Sequence, residues 1–227
     1  MNPVERKRLE AALVRMALRD LRDYLADIAD ASPQAVAGAV RDFYPDLVEK
    51  YGEATAALAA DHFESATGLP ATLVRAIDVG RTQADLGYAL APLFSGVGDL
   101  DGRLAGLLDR LVKQAGRSTM FASVGDNGLR YARVPWGDTC AFCLMLASRG
   151  DVYHTRESAG GDGNRFHPVC DCSIEPVRYD EDLEALKQAA GYDPDALYDR
   201  YLAARKEAGS GDTKEILSAL REREGIN

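Results

Sequence analysis

The chain has 227 residues, a net charge of −9 and a sequence pI of about 4.9, with 46% hydrophobic and 28% charged residues. That is enough to bury a core in one large domain or two small ones, and no apolar run approaches the roughly 18–20 residues of a membrane span. An acidic chain is a poor general binder of nucleic acid, because phosphate contacts need clustered Lys and Arg.

Residues 1–8 are polar and lack the apolar stretch of a signal peptide. A cytoplasm, or a particle assembled there, is the expected location. Over residues 2–30, Val14, Leu18, Leu21, Leu25 and Ile28 follow a/d spacing, as in a bundle helix or a short coiled coil. Ser32 and Pro33 supply a capping hydroxyl and a first-turn proline for a second helix. This helix is expected to stop near Tyr44, where Pro45 interrupts it. A further helix over 45–67 carries Leu47, Tyr51, Leu58 and Phe63 on one face and ends at Gly68. One or two helices are expected within 70–95. Residues 100–124 are again periodic, through Leu104, Leu107, Leu108, Leu111 and Val112.

The character then changes. A turn cluster occupies 125–128, and residues 129–134 alternate apolar and basic side chains as a short strand would. A short helix is expected over 140–148, closed by Gly150, then a strand over 151–155 and a flexible loop over 159–164. Residues 173–177 are expected to pair back as a strand. From Asp180 the chain reads as charged helices, broken near Gly191 and at Gly209 to Gly211. The expected fold is mainly α with a small α+β zinc-binding module: a helical domain over 1–125, the module over 126–179, and a peripheral helical arm over 180–227.

Against the acidic trend, residues 103–133 hold Arg103, Arg110, Lys113, Arg117, Arg130 and Arg133 with only Asp109 and Asp126. This is a solvated face or a local DNA contact. The DNA reading calls for binding that weakens steeply with salt.

All four cysteines fall within residues 140–172, in the pattern Cys140-x2-Cys143 followed by His167-x2-Cys170-x-Cys172. Without a sign of secretion, clustered thiols read as metal ligands or redox groups. Zinc takes four soft or borderline ligands in a tetrahedron, and its ligation contributes roughly 10 kcal/mol or more to folding a small module. Five candidates compete for four places. Cys140, Cys143, His167 and Cys172 are the preferred set; a four-cysteine site with His167 outside it stays open, as do buried free cysteines. A thioredoxin-type pair lacks the surrounding strand and helix order.

Two catalytic readings are weaker. His62-Phe63-Glu64 with Cys140-x2-Cys143 echoes a zinc deaminase, but Thr139 replaces the proline and the separation is very long. A cysteine peptidase would pair one thiol with His154 or His167, whereas four crowded thiols suit chelation better. Ser148, Ser158 and Ser173 stand in no nucleophile motif.

Residues 130–150, then Val152-Tyr153, then Phe166 to Cys172 resemble the C-terminal module of phage Mu F-like head morphogenesis proteins, best in the versions of actinobacterial phages. The likeness covers roughly 117–178 and is weaker across the helical N-terminal part. It implies a minor virion protein, in few copies inside the capsid near the portal, tied to head assembly and the fate of packaged DNA. Portal and major capsid proteins are the implied partners, and Cys140, Cys143, His167, Cys170 and Cys172 the implied metal-binding set around one structural zinc. The family often has Arg between the last two cysteines; here it is Asp171, which weakens a DNA role for that loop. Related genes are sometimes labelled capsid maturation proteases. No catalytic constellation supports that here, so a non-enzymatic protein is expected.

Overall fold

A computed structural model describes residues 1–74, 79–137, 139–155 and 170–226, with the side chains of 79–81 left aside. Among them the elements are α1 (Pro3–Asp27), α2 (Pro33–Thr67), α3 (Val79–Ala89), α4 (Pro92–Ser95), α5 (Leu100–Asp126), β1 (Arg130–Val134), α6 (Ala141–Ala147), β2 (Ser173–Val177), α7 (Asp180–Ala190), α8 (Pro194–Ala208) and α9 (Thr213–Glu224). The fold is mainly helical, with one two-stranded sheet beside a cysteine cluster. None of the described helices is long and apolar enough to cross a membrane.

The long helices begin where short polar side chains can accept from the first free N–H groups. Asn2 accepts from Glu5 N, Ser32 from Ala35 N and Asp99 from Gly102 N. Helices α1, α2 and α5 bury their apolar stripes against one another: Val14, Ala17 and Leu21 meet Val40, Tyr44, Leu47 and Val48, and both sets meet Leu104, Leu108 and Val112. Helix α2 approaches α5 closely at Gly116. A Cβ there would lie 3.0 Å from the Thr55 carbonyl oxygen, and Thr55 Oγ1 donates to the Val112 carbonyl at 2.6 Å.

The break expected at Pro45 does not occur, and α2 runs through it. Proline cannot donate to the Arg41 carbonyl one turn earlier, at a cost of about 3 kcal/mol in a helix interior. Gln83 Nε2, from α3, donates to that carbonyl instead, at 3.2 Å. Around the proline, Val40, Tyr44, Leu47 and Val48 are all buried, each contributing about 1.5–3 kcal/mol. Tertiary packing outweighs the local penalty.

Strands β1 and β2 pair antiparallel, with Arg130 opposite Val177, Ala132 opposite Glu175 and Val134 opposite Ser173. Pro176 sits opposite Tyr131, whose N–H points to the other edge and donates to the Tyr153 carbonyl at 2.9 Å. The missing N–H of Pro176 therefore falls on the free edge of β2, where a strand tolerates proline. The strand expected over 151–155 shrinks to that bridge between Tyr131 and Tyr153. The tyrosine rings stack at 5.3 Å, and Tyr153 Oη donates to the Leu146 carbonyl, so side chains rather than a ladder hold this segment. The loop expected over 159–164 lies outside the described residues.

Both faces of β1 are covered. Ala132 and Val134 pack with Val177, Leu186 of α7 and Tyr192. Tyr131 faces a second core built from Phe63 of α2, Met120 and Val124 of α5, the four cysteines, Leu146 of α6, Ala204 of α8, and Leu217 and Leu220 of α9. Helices α8 and α9 thus close over α6 and share the core that holds the thiols.

Candidate metal centre

Cys140 caps α6: its Sγ accepts from Cys143 N at 3.4 Å, where most helices use an oxygen. The Cys-x2-Cys spacing therefore puts one sulfur at the cap and the next at the first turn of the same helix. The other two thiols come from the segment entering β2. Cys143 Sγ lies 3.4 Å from Cys170 Sγ and 3.1 Å from Cys172 Sγ, and the last two lie 3.4 Å apart. The sulfurs of Cys140, Cys143 and Cys170 all fall within 4.8 Å of one another. All four cysteines are buried, and none is in a disulfide.

Four thiolates around zinc at about 2.3 Å would stand about 3.8 Å apart. The contacts among Cys143, Cys170 and Cys172, at 3.1–3.4 Å, are tighter than that, so a small opening of the cluster accommodates an ion. The donor set is the soft one zinc and iron favour.

The surroundings carry the matching charge. Arg133 is 1% exposed and donates from Nη2 to Cys172 Sγ at 2.9 Å and to Cys143 Sγ at 3.4 Å. Arg117 is buried too, and its Nη2 donates to the carbonyls of Cys170 and Cys172, at 2.5 and 3.3 Å. Buried cations are costly unless an anion compensates them. A divalent ion with four thiolates carries a net charge of −2, which these two guanidiniums balance. Burial alone would lower the Arg133 pKa, but the neighbouring Cys172 and Cys143 charges drive it upward. Contact with Cys140 pushes the Cys170 thiol up, yet the hydrogen bonds from Cys143 and Cys172, helped by the Arg117 charge, bring it down to about 6.

A buried ionic chain ties this module to α1 and α2. Glu175 Oε1 accepts from Arg6 Nη2 at 2.5 Å and from Ser173 Oγ at 2.6 Å, while Oε2 lies 2.8 Å from His62 Nε2. Arg6 and Lys7 both reach Glu10, and Lys7 continues to Asp171 at 2.8 Å. Lys113 meets Asp171 at 3.2 Å and Asp109 at 2.8 Å. Burial would raise the Glu175 pKa, but the Arg6 charge and the His62 bond outweigh it and hold the carboxyl at about 2. Glu10 is lowered likewise: burial opposes, and Lys7, Arg6 and Arg117 prevail.

The structure brings Cys140, Cys143, Cys170 and Cys172 together, including Cys170, which the spacing leaves as the odd member. His167 and Pro168 lie outside the described residues. His62 is fully buried on Glu175 and the Met1 carbonyl. His154 is exposed.

The six basic residues of 103–133 do not form one face. Arg110 pairs with Asp85, Lys113 with Asp109 and Asp171, and Arg130 with Asp151 and Asp180. Arg103 donates to the Tyr88 carbonyl over the Tyr88 ring, and Arg117 and Arg133 serve the thiols. Those two are the functional residues that a reading of spacing misses. A signal existed: Tyr131 and Arg133 share one face of a strand that leads into Cys-x2-Cys. Solvent is the usual place for a strand arginine, so the alternation points the wrong way.

Fold and site together define a mainly helical protein built around a buried thiol cluster that can hold a metal. Residues 4–204 match the family model of the VG15 protein. The chain belongs to that family, a viral one, and is a phage protein. No curated protein matches it significantly, and no solved structure does.

Proposed function

We propose that the chain is a minor capsid protein of a tailed phage, of the Mu F-like type, inside the capsid near the portal, where it acts in head assembly and in handling packaged DNA. Its partners on this reading are the portal protein, the major capsid protein or both. One structural zinc is held by Cys140, Cys143, Cys170 and Cys172, and supplies a crosslink between α6 and the segment entering β2. The observation that carries the zinc assignment is the convergence of four buried thiols with Arg133 and Arg117 around them. Four protein sulfurs fill a tetrahedral ion and leave no position for the water a catalytic site needs.

A non-enzymatic role fits the polar groups nearby. Ser173, Glu175 and His62 are hydrogen-bonded in that order. A nucleophilic serine needs histidine next to its hydroxyl, with the carboxylate behind. Here the carboxylate stands in the middle and is fixed by Arg6, and Ser173 Oγ accepts from Trp136 Nε1. This arrangement bonds elements together and activates no nucleophile, which speaks against the maturation-protease alternative.

The test is quantitative mass spectrometry of purified particles, with and without external protease. The expected result is a few copies per particle, protected until the capsid is opened. Absence from the particle, or complete digestion of the chain in intact particles, would contradict the reading.

A further inference from the structure

Most of the described cations are held by acids or backbone carbonyls; on α1 a group of them is aligned and exposed. Along α1, Arg8, Arg15, Arg19 and Arg22 are all exposed. At about 100° per residue they fall within an arc of about 60°, and span about 21 Å along the axis. Val4 and Ala26 share the arc, Ala11 and Ala12 border it, and Glu5 and Asp23 flank it about 40° beyond its Arg19 edge. No acid stands in the arc, and the small side chains leave the guanidiniums open. The nearest ion-pair contact is Arg19 to Asp20, at 3.9 Å. Arg15 with Arg19, and Arg19 with Arg22, are like-charged neighbours one turn apart, an arrangement that destabilises a helix by about 0.2–0.5 kcal/mol per pair. Arg6, on the opposite face of α1, and Lys7, on its flank, join the buried ionic chain, so the orientation of the stripe is fixed.

We infer that the Arg8–Arg15–Arg19–Arg22 stripe binds the phosphate backbone of double-stranded DNA. All four residues are arginine, whose planar fork matches phosphate oxygens. The stripe's length corresponds to about six base-pair steps of a duplex at about 3.4 Å each. Its arc offers no aromatic ring, so single strands find no stacking platform. The remainder of the chain is acidic and repels a polyanion, which confines the contact to this face and makes it weak and salt-sensitive. The inference rests on the phage reading for its partner, packaged duplex DNA. It concerns a different surface from the basic residues of 103–133.

The experiment is fluorescence anisotropy of a labelled 20-base-pair duplex with the full chain at 50–200 mM KCl. Its comparison is a variant carrying Arg8→Gln, Arg15→Gln, Arg19→Gln and Arg22→Gln, with its melting temperature measured alongside. The expected slope of log K against log salt is about −3 to −4, at about −0.9 per neutralised phosphate. The variant should bind about tenfold or more weakly at 50 mM, with an unchanged or higher melting temperature. No binding by the native chain, or equal binding by a folded variant, would overturn the inference. So would poly-glutamate displacing the duplex as well as unlabelled duplex at equal charge, which would assign the stripe to an acidic protein surface. Metal content and particle composition are measured separately, so these outcomes leave the virion reading to its own test.

Discussion

Arg133 Nη2 stands 2.9 Å from Cys172 Sγ with both side chains buried, and this contact links the charge of the strand to the chemistry of the thiols. Outer groups that orient and neutralise metal ligands typically account for 10–100-fold in affinity. Arg133→Leu is therefore expected to weaken zinc binding by that factor in competition with a chromophoric chelator. Arg133→Lys should fall between, since the ammonium keeps the positive charge but not the reach and planar geometry that set Nη2 against both Cys143 and Cys172. Equal affinity in all three proteins would show that the guanidinium is not part of the metal site.

The choice among the five candidate ligands is open to direct comparison. Cys170→Ser should lose the metal, because Cys170 Sγ sits 3.4 Å from both Cys143 and Cys172. His167→Ala should keep it. A histidine variant that loses zinc while the Cys170 variant retains it would replace the four-thiolate assignment with the mixed one.

Glu175 gives the fold an acid dependence whose sign is fixed by its low pKa. Its carboxyl is held at about 2 in the folded chain, against an ordinary value of 4.5. The resulting stabilisation is fully present above about pH 4.5 and is lost as pH falls through about 2. A shift of that size corresponds to about 3 kcal/mol. Glu175→Gln should be less stable than the native chain by a few kcal/mol at pH 7 in urea titrations. The gap should close between pH 4.5 and 2, and comparing the two proteins cancels the acid loss of thiolate common to both. A gap independent of pH would show that the Arg6 and His62 contacts do not depend on the carboxylate.

Gly116 is expected to resist substitution. An added methyl meets the Thr55 carbonyl oxygen at 3.0 Å, and rigid backbone on both sides leaves little room to yield. Overpacking of this kind costs typically 1–3 kcal/mol, more than the ~1 kcal/mol that alanine gains in helix propensity. Gly116→Ala should lower the melting temperature, whereas Gly125→Ala, which meets nothing within 4 Å, should not.

Periodicity and caps made the helical body legible. The starts at Ser32-Pro33 and Leu100 and the stops at Gly68, Gly191 and Gly209 all rest on local chemistry that the residues state outright. Pro45 misled because the group that rescues it, Gln83, is distant in sequence. The strand over 151–155 misled because tyrosine side chains, rather than a ladder, fix that segment. The thiol cluster was legible from spacing, but its surroundings were not. Arg117, Arg133, Glu175 and Arg6 are charged residues whose burial depends on partners far along the chain, and a local pattern assigns such residues to solvent. The stripe on α1 was hidden for the opposite reason: its arginines are spread over 15 positions and converge only when wound on a helix.

The most direct measurement is the metal content of the purified, reduced protein by elemental analysis, alongside Cys143→Ser and Cys172→Ser variants. About one zinc per chain in the native protein, lost in both variants together with cooperative unfolding, is the expected result. A well-folded native chain without zinc, or variants that keep it in full, would contradict a structural tetrathiolate site.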